Sequence, residues 1–146
     1  MTTIVYDHKA KKIACDSRFT SKGLIINDSG VKFLENEKGV WFFSGKRCDN
    51  DYLAKSDHNK KCDVTPDCSA IVSDPNGNVM IVTPSGDYIE FDYLKESFCI
   101  GSGCDLAYAA LDFGKSAKEA VEYAMTRDIY TGGKVRVYDV VKRTFI

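Results

Sequence analysis

Two threonines follow the initial methionine, and the first of them, Thr2, could serve as a hydrolytic nucleophile. Once Met1 is removed, Thr2 carries a hydroxyl and an α-amine on one residue, which is a nucleophile together with its own general base. We expect methionine removal because the side chain of residue 2 is small, and no propeptide is visible. Threonine is common at this position, so the chemistry needs support from the rest of the chain.

Asp16 and Lys32 could provide that support. Lys32 lies between Val31 and Phe33 in a segment with strand character. If its side chain points inward it must be paired, because an isolated buried ammonium is very costly. Asp16, which follows the apolar run 13–15, is the natural partner.

A predicted β-hairpin would place Asp16 near the nucleophile. Residues 2–6 are β-branched and aromatic, 7–11 form a polar turn, and 12–16 return as the second arm. Pairing of the two arms brings Asp16 back alongside Thr2.

The remaining elements indicate an α+β fold. We predict an antiparallel meander over 69–91, and a strand at 40–43 followed by Gly45, where the backbone must approach something closely. Two consecutive helices follow, one capped by Ser102 or Asp105 and one opened by a capping box at Ser116. Two further strands close the chain, the segment 17–30 reads as irregular, and 48–67 reads as polar surface with one weak helical patch at 49–55. Helices grouped against antiparallel strands are typical of layered α+β proteins.

Length and composition set the outer limits. The 146 residues suit a single domain, 1–146, and the formal charge of −1 predicts neither a nucleic-acid nor a membrane-surface partner. No apolar run approaches the length of a membrane span and no secretory signal is visible, so we expect a cytoplasmic protein with reduced cysteines. Nothing in the pattern predicts a cofactor or a metal site.

Seven short motifs in the right order resemble the landmarks of proteasome β-type subunits and of the bacterial proteasome-like peptidase HslV. The motifs are Thr2-Thr3-Ile4-Val5, Ile13-Ala14-Cys15-Asp16, Gly30-Val31-Lys32, Phe43-Ser44-Gly45, Gly101-Ser102-Gly103, Ser116-Ala117-Lys118-Glu119-Ala120 and Arg127-Asp128-Ile129-Tyr130-Thr131-Gly132-Gly133. The resemblance covers nearly the whole chain. It implies the N-terminal nucleophile (Ntn) hydrolase fold, a four-layer αββα sandwich of two antiparallel sheets.

The resemblance also implies roles for individual residues. Thr2 would be the nucleophile, and Lys32, held by Asp16, would lower the pKa of the α-amine by like-charge repulsion. The backbone N–H of Gly45 would form the oxyanion hole. A polar network around the terminal amine would comprise Ser102, Asp128 and Thr131.

Two residues beside Gly45 bear on the substrate site. Phe43 matches a position that lines the pocket for the substrate side chain, with core packing as the alternative interpretation. Lys46 stands where the family usually has a small residue, which alters the predicted substrate cleft.

The interval from Gly45 to Ser69 is about one helix shorter than the resemblance implies, so we expect one truncated helical layer. The resemblance further implies a homo-oligomer that degrades protein or peptide substrates, fed by an AAA+ unfoldase. Three functions therefore stay open: a threonine peptidase, a catalytically silent proteasome-like scaffold or protease inhibitor, and an amidohydrolase of the same fold that acts on a small amide.

Overall fold

The structure is a computed structural model that describes residues 2–146, so the predicted processing of Met1 lies outside the described residues. Its mixed strands and few helices make it an α+β protein, and that prediction is confirmed. The strands are β1 Thr3–Asp7, β2 Lys12–Cys15, β3 Phe19–Ser21, β4 Leu24–Asn27, β5 Phe33–Asn36, β6 Gly39–Gly45, β7 Cys68–Ser73, β8 Val79–Ser85, β9 Tyr88–Tyr93, β10 Phe98–Gly101, β11 Arg136–Asp139 and β12 Thr144–Phe145. The helices are α1 Asn50–Ala54, α2 Cys104–Asp112 and α3 Ala117–Met125.

The chain forms two compact units, each built around a five-stranded sheet. The first unit contains residues 2–32 and 95–146, and the second contains Phe33–Leu94. The single domain 1–146 and the four-layer arrangement stay predictions. Among residues 2–146, none of the helices reaches the length and apolar character that a membrane span requires.

The sheet of the first unit has the strand order β10-β1-β2-β11-β12. The predicted hairpin is confirmed, because β1 and β2 pair antiparallel with Ile4 opposite Cys15. This register continues beyond the strands, where the backbone N–H of Asp16 donates to the carbonyl of Thr3 at 3.3 Å. Asp16 therefore lies beside the start of β1.

Helices α2 and α3 pack on one face of this sheet. Small side chains let the helices approach closely, and the shared core contains Val5, Ala14, Cys99, Ala107, Ala110, Ala117, Ala120, Val121 and Val137. The predicted capping box of α3 is confirmed, since Ser116 accepts from the backbone of Glu119 while the Glu119 side chain accepts from the backbone of Ser116. The predicted cap of α2 is wrong: its N-cap is Gly103, and no side chain caps it.

Replacing Ser116 with alanine is expected to lower the free energy of unfolding by about 1 kcal/mol, because one N-terminal backbone donor of α3 loses its acceptor. Urea unfolding monitored by circular dichroism measures the change. Lys118→Ala, an exposed substitution in the same helical turn, is the control and should change stability by less than about 0.5 kcal/mol. Equal effects of the two substitutions would contradict the capping interpretation.

The second unit is an antiparallel sheet in the order β5-β6-β7-β8-β9, and it contains the predicted meander β7-β8-β9. Its core is aromatic and aliphatic, with Trp41, Phe43, Leu53, Val72, Val82 and Ile89 all buried. The predicted helical patch is present as α1, which has only five residues.

The segment between β2 and Lys32 differs from its prediction as irregular chain. Strands β3 and β4 form a separate two-stranded hairpin. All four residues of β4 are exposed, including the aliphatic side chains of Leu24, Ile25 and Ile26. A strand with no buried face has no alternating hydrophobic pattern, so the sequence lacks the usual strand signal here.

Candidate active site

Three of the predicted site residues meet in the first unit. The Lys32 Nζ atom lies 2.7 Å from Thr2 Oγ1 and 2.9 Å from Asp16 Oδ1. All three residues are buried, and none is more than 4 % exposed. As an ammonium group Lys32 only donates hydrogen bonds, so Thr2 Oγ1 is the acceptor, and negative charge developing on that oxygen would be stabilised.

The Asp16 carboxylate is held by the backbone as well as by Lys32. Oδ1 also accepts from the N–H of Thr3 at 3.1 Å, and Oδ2 accepts from the N–H groups of Arg18 at 3.3 Å and Gly132 at 3.0 Å. A carboxylate offers about four acceptor positions, and this one is approached by four donors. Its orientation is therefore fixed from several stretches of chain, and it fixes Lys32 in turn.

The charge of Lys32 depends on this carboxylate. Burial lowers the pKa of Lys32 below its ordinary value, while the charge and the hydrogen bond of Asp16 act in the opposite direction. The Nζ atom also lies 5.4 Å from the centre of the Phe19 ring, in a cation–π arrangement. Loss of Asp16 would leave burial to lower the pKa further.

A second network, centred on Asp128, brings together the other three predicted polar residues of this unit. Its Oδ2 accepts from Ser102 Oγ at 2.5 Å and from Thr131 Oγ1 at 2.6 Å, and its Oδ1 accepts from the Tyr130 N–H at 3.1 Å. Burial alone would raise the pKa of Asp128, but these hydrogen bonds outweigh it and lower the pKa below the ordinary value. The carboxylate is therefore ionised at neutral pH and fixed in one orientation.

The hydroxyl hydrogens of this network point toward Asp128, from Thr3 to Thr131 and from Thr131 to the carboxylate. Each hydroxyl has one hydrogen, and because Thr131 gives its hydrogen to Asp128, Thr131 Oγ1 must accept from Thr3 Oγ1 at 2.7 Å. Ser102 likewise gives its hydrogen to Asp128, so its 3.4 Å approach to the Thr2 carbonyl is a weaker contact. The network thus connects Asp128 to the residue directly after Thr2.

Thr3 and Gly132 contribute to the site although the sequence pattern gave neither a role. Thr3 supplies a backbone donor to Asp16 and a hydroxyl donor to Thr131, yet as a β-branched residue it reads only as the start of a strand. The sequence could have indicated Gly132, because two consecutive glycines are typical of a backbone that approaches another group closely. A Cβ atom at Gly132 would overlap the Arg18 guanidinium.

Because Gly103 has no side chain, the Thr3 hydroxyl can occupy the space beside it. A Cβ atom at Gly103 would overlap Thr3 Oγ1 and lie 2.9 Å from Ala124 Cβ. We expect Gly103→Ala to break the hydrogen bond between Thr3 and Thr131 and to destabilise the protein by about 1–3 kcal/mol, because the site is already packed. Urea unfolding measures the loss, and a change below about 0.5 kcal/mol would contradict this packing.

Gly45 ends β6 in the second unit, opposite Cys68 of β7. Its φ of +116° lies where side chains are rarely tolerated, and a Cβ atom there would lie 2.5 Å from the Asp67 carbonyl oxygen. The next N–H, of Lys46, already donates to that carbonyl at 2.7 Å. Only glycine fits this turn without strain, and the role of its N–H as oxyanion donor stays a prediction.

Phe43 and Lys46 have contrasting surroundings in the second unit. The Phe43 ring is 4 % exposed and stacks on Trp41 with the ring centres 5.9 Å apart, which agrees with the alternative interpretation of core packing. Lys46 is exposed. Contact of either residue with substrate stays a prediction.

Three buried cysteines are poor candidates for nucleophiles, and the possible metal ligands within residues 2–146 do not cluster. Burial raises the pKa values of Cys15, Cys68 and Cys99 to about 12, so these thiols are poor nucleophiles at neutral pH. Within residues 2–146, no three His, Cys, Asp or Glu side chains are grouped closely enough to hold a metal ion.

The chain is similar in fold to solved structures of Thiobacillus denitrificans BPH. The structure of that protein in complex with epoxomicin aligns with a TM-score of 0.68 at 16% sequence identity, covering 94% of this chain and 97% of that chain. A second BPH structure gives a TM-score of 0.67 at 15% identity, covering 94% and 95%. No protein-family model and no curated protein matches the chain. At such low identity the similarity concerns the fold alone.

Proposed function

We propose that this chain is an N-terminal threonine peptidase, in which Thr2 is the nucleophile once nothing precedes it. The observation that carries the proposal is the buried contact of Lys32 Nζ with Thr2 Oγ1 at 2.7 Å and with Asp16 Oδ1 at 2.9 Å. A lysine and an aspartate buried beside a threonine hydroxyl are costly to keep, and a purely structural role for the second residue does not require them.

The proposed reaction uses the α-amine of Thr2 as the general base. The amine accepts the hydroxyl proton, directly or through a water, while Thr2 Oγ attacks the carbonyl carbon of the scissile peptide bond. The resemblance gives the N–H of Gly45 the role of stabilising the resulting oxyanion, and the protonated amine gives its proton to the leaving amine. Water then hydrolyses the ester on Thr2 by the same groups in reverse roles.

The neighbouring charges suit this base. An unperturbed α-amine has a pKa of about 7.7–8.0, so a modest lowering makes it neutral at physiological pH. The ammonium of Lys32 lowers that pKa by like-charge repulsion. The ionised Asp128, held by Ser102 and Thr131, belongs to the polar network that the resemblance places around the amine.

The fold comparisons support the same proposal. Epoxomicin, which is bound in one BPH structure, is a proteasome inhibitor. We therefore extend the proposal to a proteasome-like Ntn hydrolase that works as a homo-oligomer on protein or peptide substrates, with an AAA+ unfoldase as its partner.

A catalytically silent scaffold or inhibitor subunit is the second candidate. The observation that favours it is the short helix α1, because only five helical residues and one 3₁₀ turn occupy the interval between β6 and β7. In the proteins that the chain resembles, helices at this place contribute to subunit packing.

Intact mass and covalent labelling separate the two candidates. The purified protein should be lighter by one methionine residue, and an epoxyketone such as epoxomicin should add one equivalent per chain. Thr2→Ala is the control and should add none. The silent scaffold would be favoured by a protein whose Thr2 α-amine is free but which does not react with the epoxyketone. Such a protein would also hydrolyse neither small peptides nor an unfolded protein.

A further inference from the structure

The side chain of Arg136 joins the segments that carry Asp16 and Lys32. The Nη1 atom of Arg136 donates to Ser17 Oγ at 2.7 Å and to the Gly30 carbonyl at 2.6 Å. Ser17 directly follows Asp16, and Gly30 lies two residues before Lys32. A single nitrogen therefore bridges both segments.

Further contacts hold the two segments against each other. The N–H of Gly30 donates to the Ser17 carbonyl at 2.9 Å, and a Cβ atom at Gly30 would overlap the Phe19 ring. Ser17 is completely buried, and its hydroxyl donates to the Lys134 carbonyl. The chain is thus tightly packed around Gly30, with Arg136 supplying the donor to its carbonyl.

Strand register explains why Arg136 reaches this point. Strands β2 and β11 pair antiparallel with Arg136 opposite Cys15, the residue before Asp16. The arginine thus starts beside the end of β2, and its long side chain reaches across to Gly30. A guanidinium can donate from one nitrogen to two acceptors, which suits the gap between two backbone segments.

We propose that Arg136 is a positioning residue that holds the Lys32–Asp16 pair in the geometry in which Lys32 donates to Thr2. Its Nη1 atom donates to the Ser17 hydroxyl and the Gly30 carbonyl, so it acts on the pair through the two segments that carry Asp16 and Lys32. The catalytic part of this inference rests on the proposed function. The structural part, the geometry of the ion pair, does not.

Steady-state peptide hydrolysis tests the catalytic part. We expect Arg136→Met to lower kcat by about 10²-fold with KM changed less than about threefold, because small displacements of a catalytic group cost about that much. Arg136→Lys should recover part of the loss, since it keeps a charged donor. Arg143→Met, an exposed arginine in the turn before β12, is the matched control and should behave as wild type. Wild-type kcat in a folded Arg136→Met protein would overturn the inference.

Titration of Lys32 by NMR of ¹³C-labelled lysine gives a second readout that needs no activity. Lys32→Met assigns the signal. Burial lowers the pKa of Lys32, and its contact with Asp16 raises it. Arg136→Met should weaken that contact, so the pKa of Lys32 should fall. In Arg143→Met the pKa of Lys32 should equal that of the wild type. If the wild-type chain hydrolyses nothing, the proposed function fails while this titration still decides the role of Arg136. An unchanged titration in Arg136→Met would overturn the positioning role.

Discussion

Thr2→Ala is expected to reduce peptide hydrolysis by about 10⁴-fold or more, because it removes the attacking oxygen while the terminal amine remains. Initial rates with a fluorogenic peptide, measured on protein whose mass shows that residue 1 is absent, provide the test. Thr2→Ser keeps both the hydroxyl and the amine, so it should retain measurable turnover.

Exposed Thr65 offers a matched control for this substitution. Thr65→Ala removes a hydroxyl from the surface of the second unit and should leave the rate unchanged. Since Thr2 is buried and bonded to Lys32, thermal unfolding must accompany the kinetics. If a folded Thr2→Ala protein hydrolysed the peptide at the wild-type rate, the nucleophile would lie elsewhere.

Asp16→Asn is expected to destabilise the protein by about 3–5 kcal/mol, because it leaves the buried Lys32 without its counter-charge. Each oxygen of Asp16 accepts two hydrogen bonds from N–H groups. Whichever of these positions the NH₂ group of the asparagine takes, it faces two donors and can accept neither hydrogen bond. Urea unfolding at neutral pH measures the loss. Asp92→Asn, at an exposed position of β9, is the matched control and should cost less than about 0.5 kcal/mol.

A double-mutant cycle isolates the ion pair from the backbone contacts. Lys32→Met removes the charge, so the double variant with Asp16→Asn should lose less stability than the sum of the two single variants. Strict additivity would mean that Asp16 stabilises the fold through its backbone donors alone. Activity should be lost in all three variants, because the geometry around Thr2 Oγ1 depends on both side chains.

The sequence predicted the hairpin and the lysine partner because both follow from local rules. A run of β-branched and aromatic residues before a polar turn, and an apolar run after it, indicate the pairing of β1 with β2, and this pairing places Asp16. Lys32 lies among apolar residues, so a buried ammonium there needs an acidic partner. Few acidic residues precede Lys32, which made Asp16 the natural candidate. These inferences need no knowledge of distant parts of the chain.

Contacts between distant parts of the chain could not be predicted in the same way. Ser102 has a suitable side chain for capping α2, but its hydroxyl bonds Asp128 instead, 26 residues away. Arg136 bonds Ser17 across 119 residues, and this depends on β11 rather than another strand lying beside β2. Local propensity contains no information about either choice. Asp128 and Thr131 were reached only through the resemblance.

The first unit combines the two ends of the chain, and this has a consequence during synthesis. Thr2 and Asp16 are synthesised early, but the Asp128 network and the Gly132 donor to Asp16 come from residues 128–132, more than 100 residues later. Until those residues have emerged from the ribosome, Thr3 lacks its hydrogen bond to Thr131 and Asp16 lacks the Gly132 donor. For the proposed peptidase, the order of translation would therefore delay hydrolysis until residues 128–132 have emerged and folded onto the first unit.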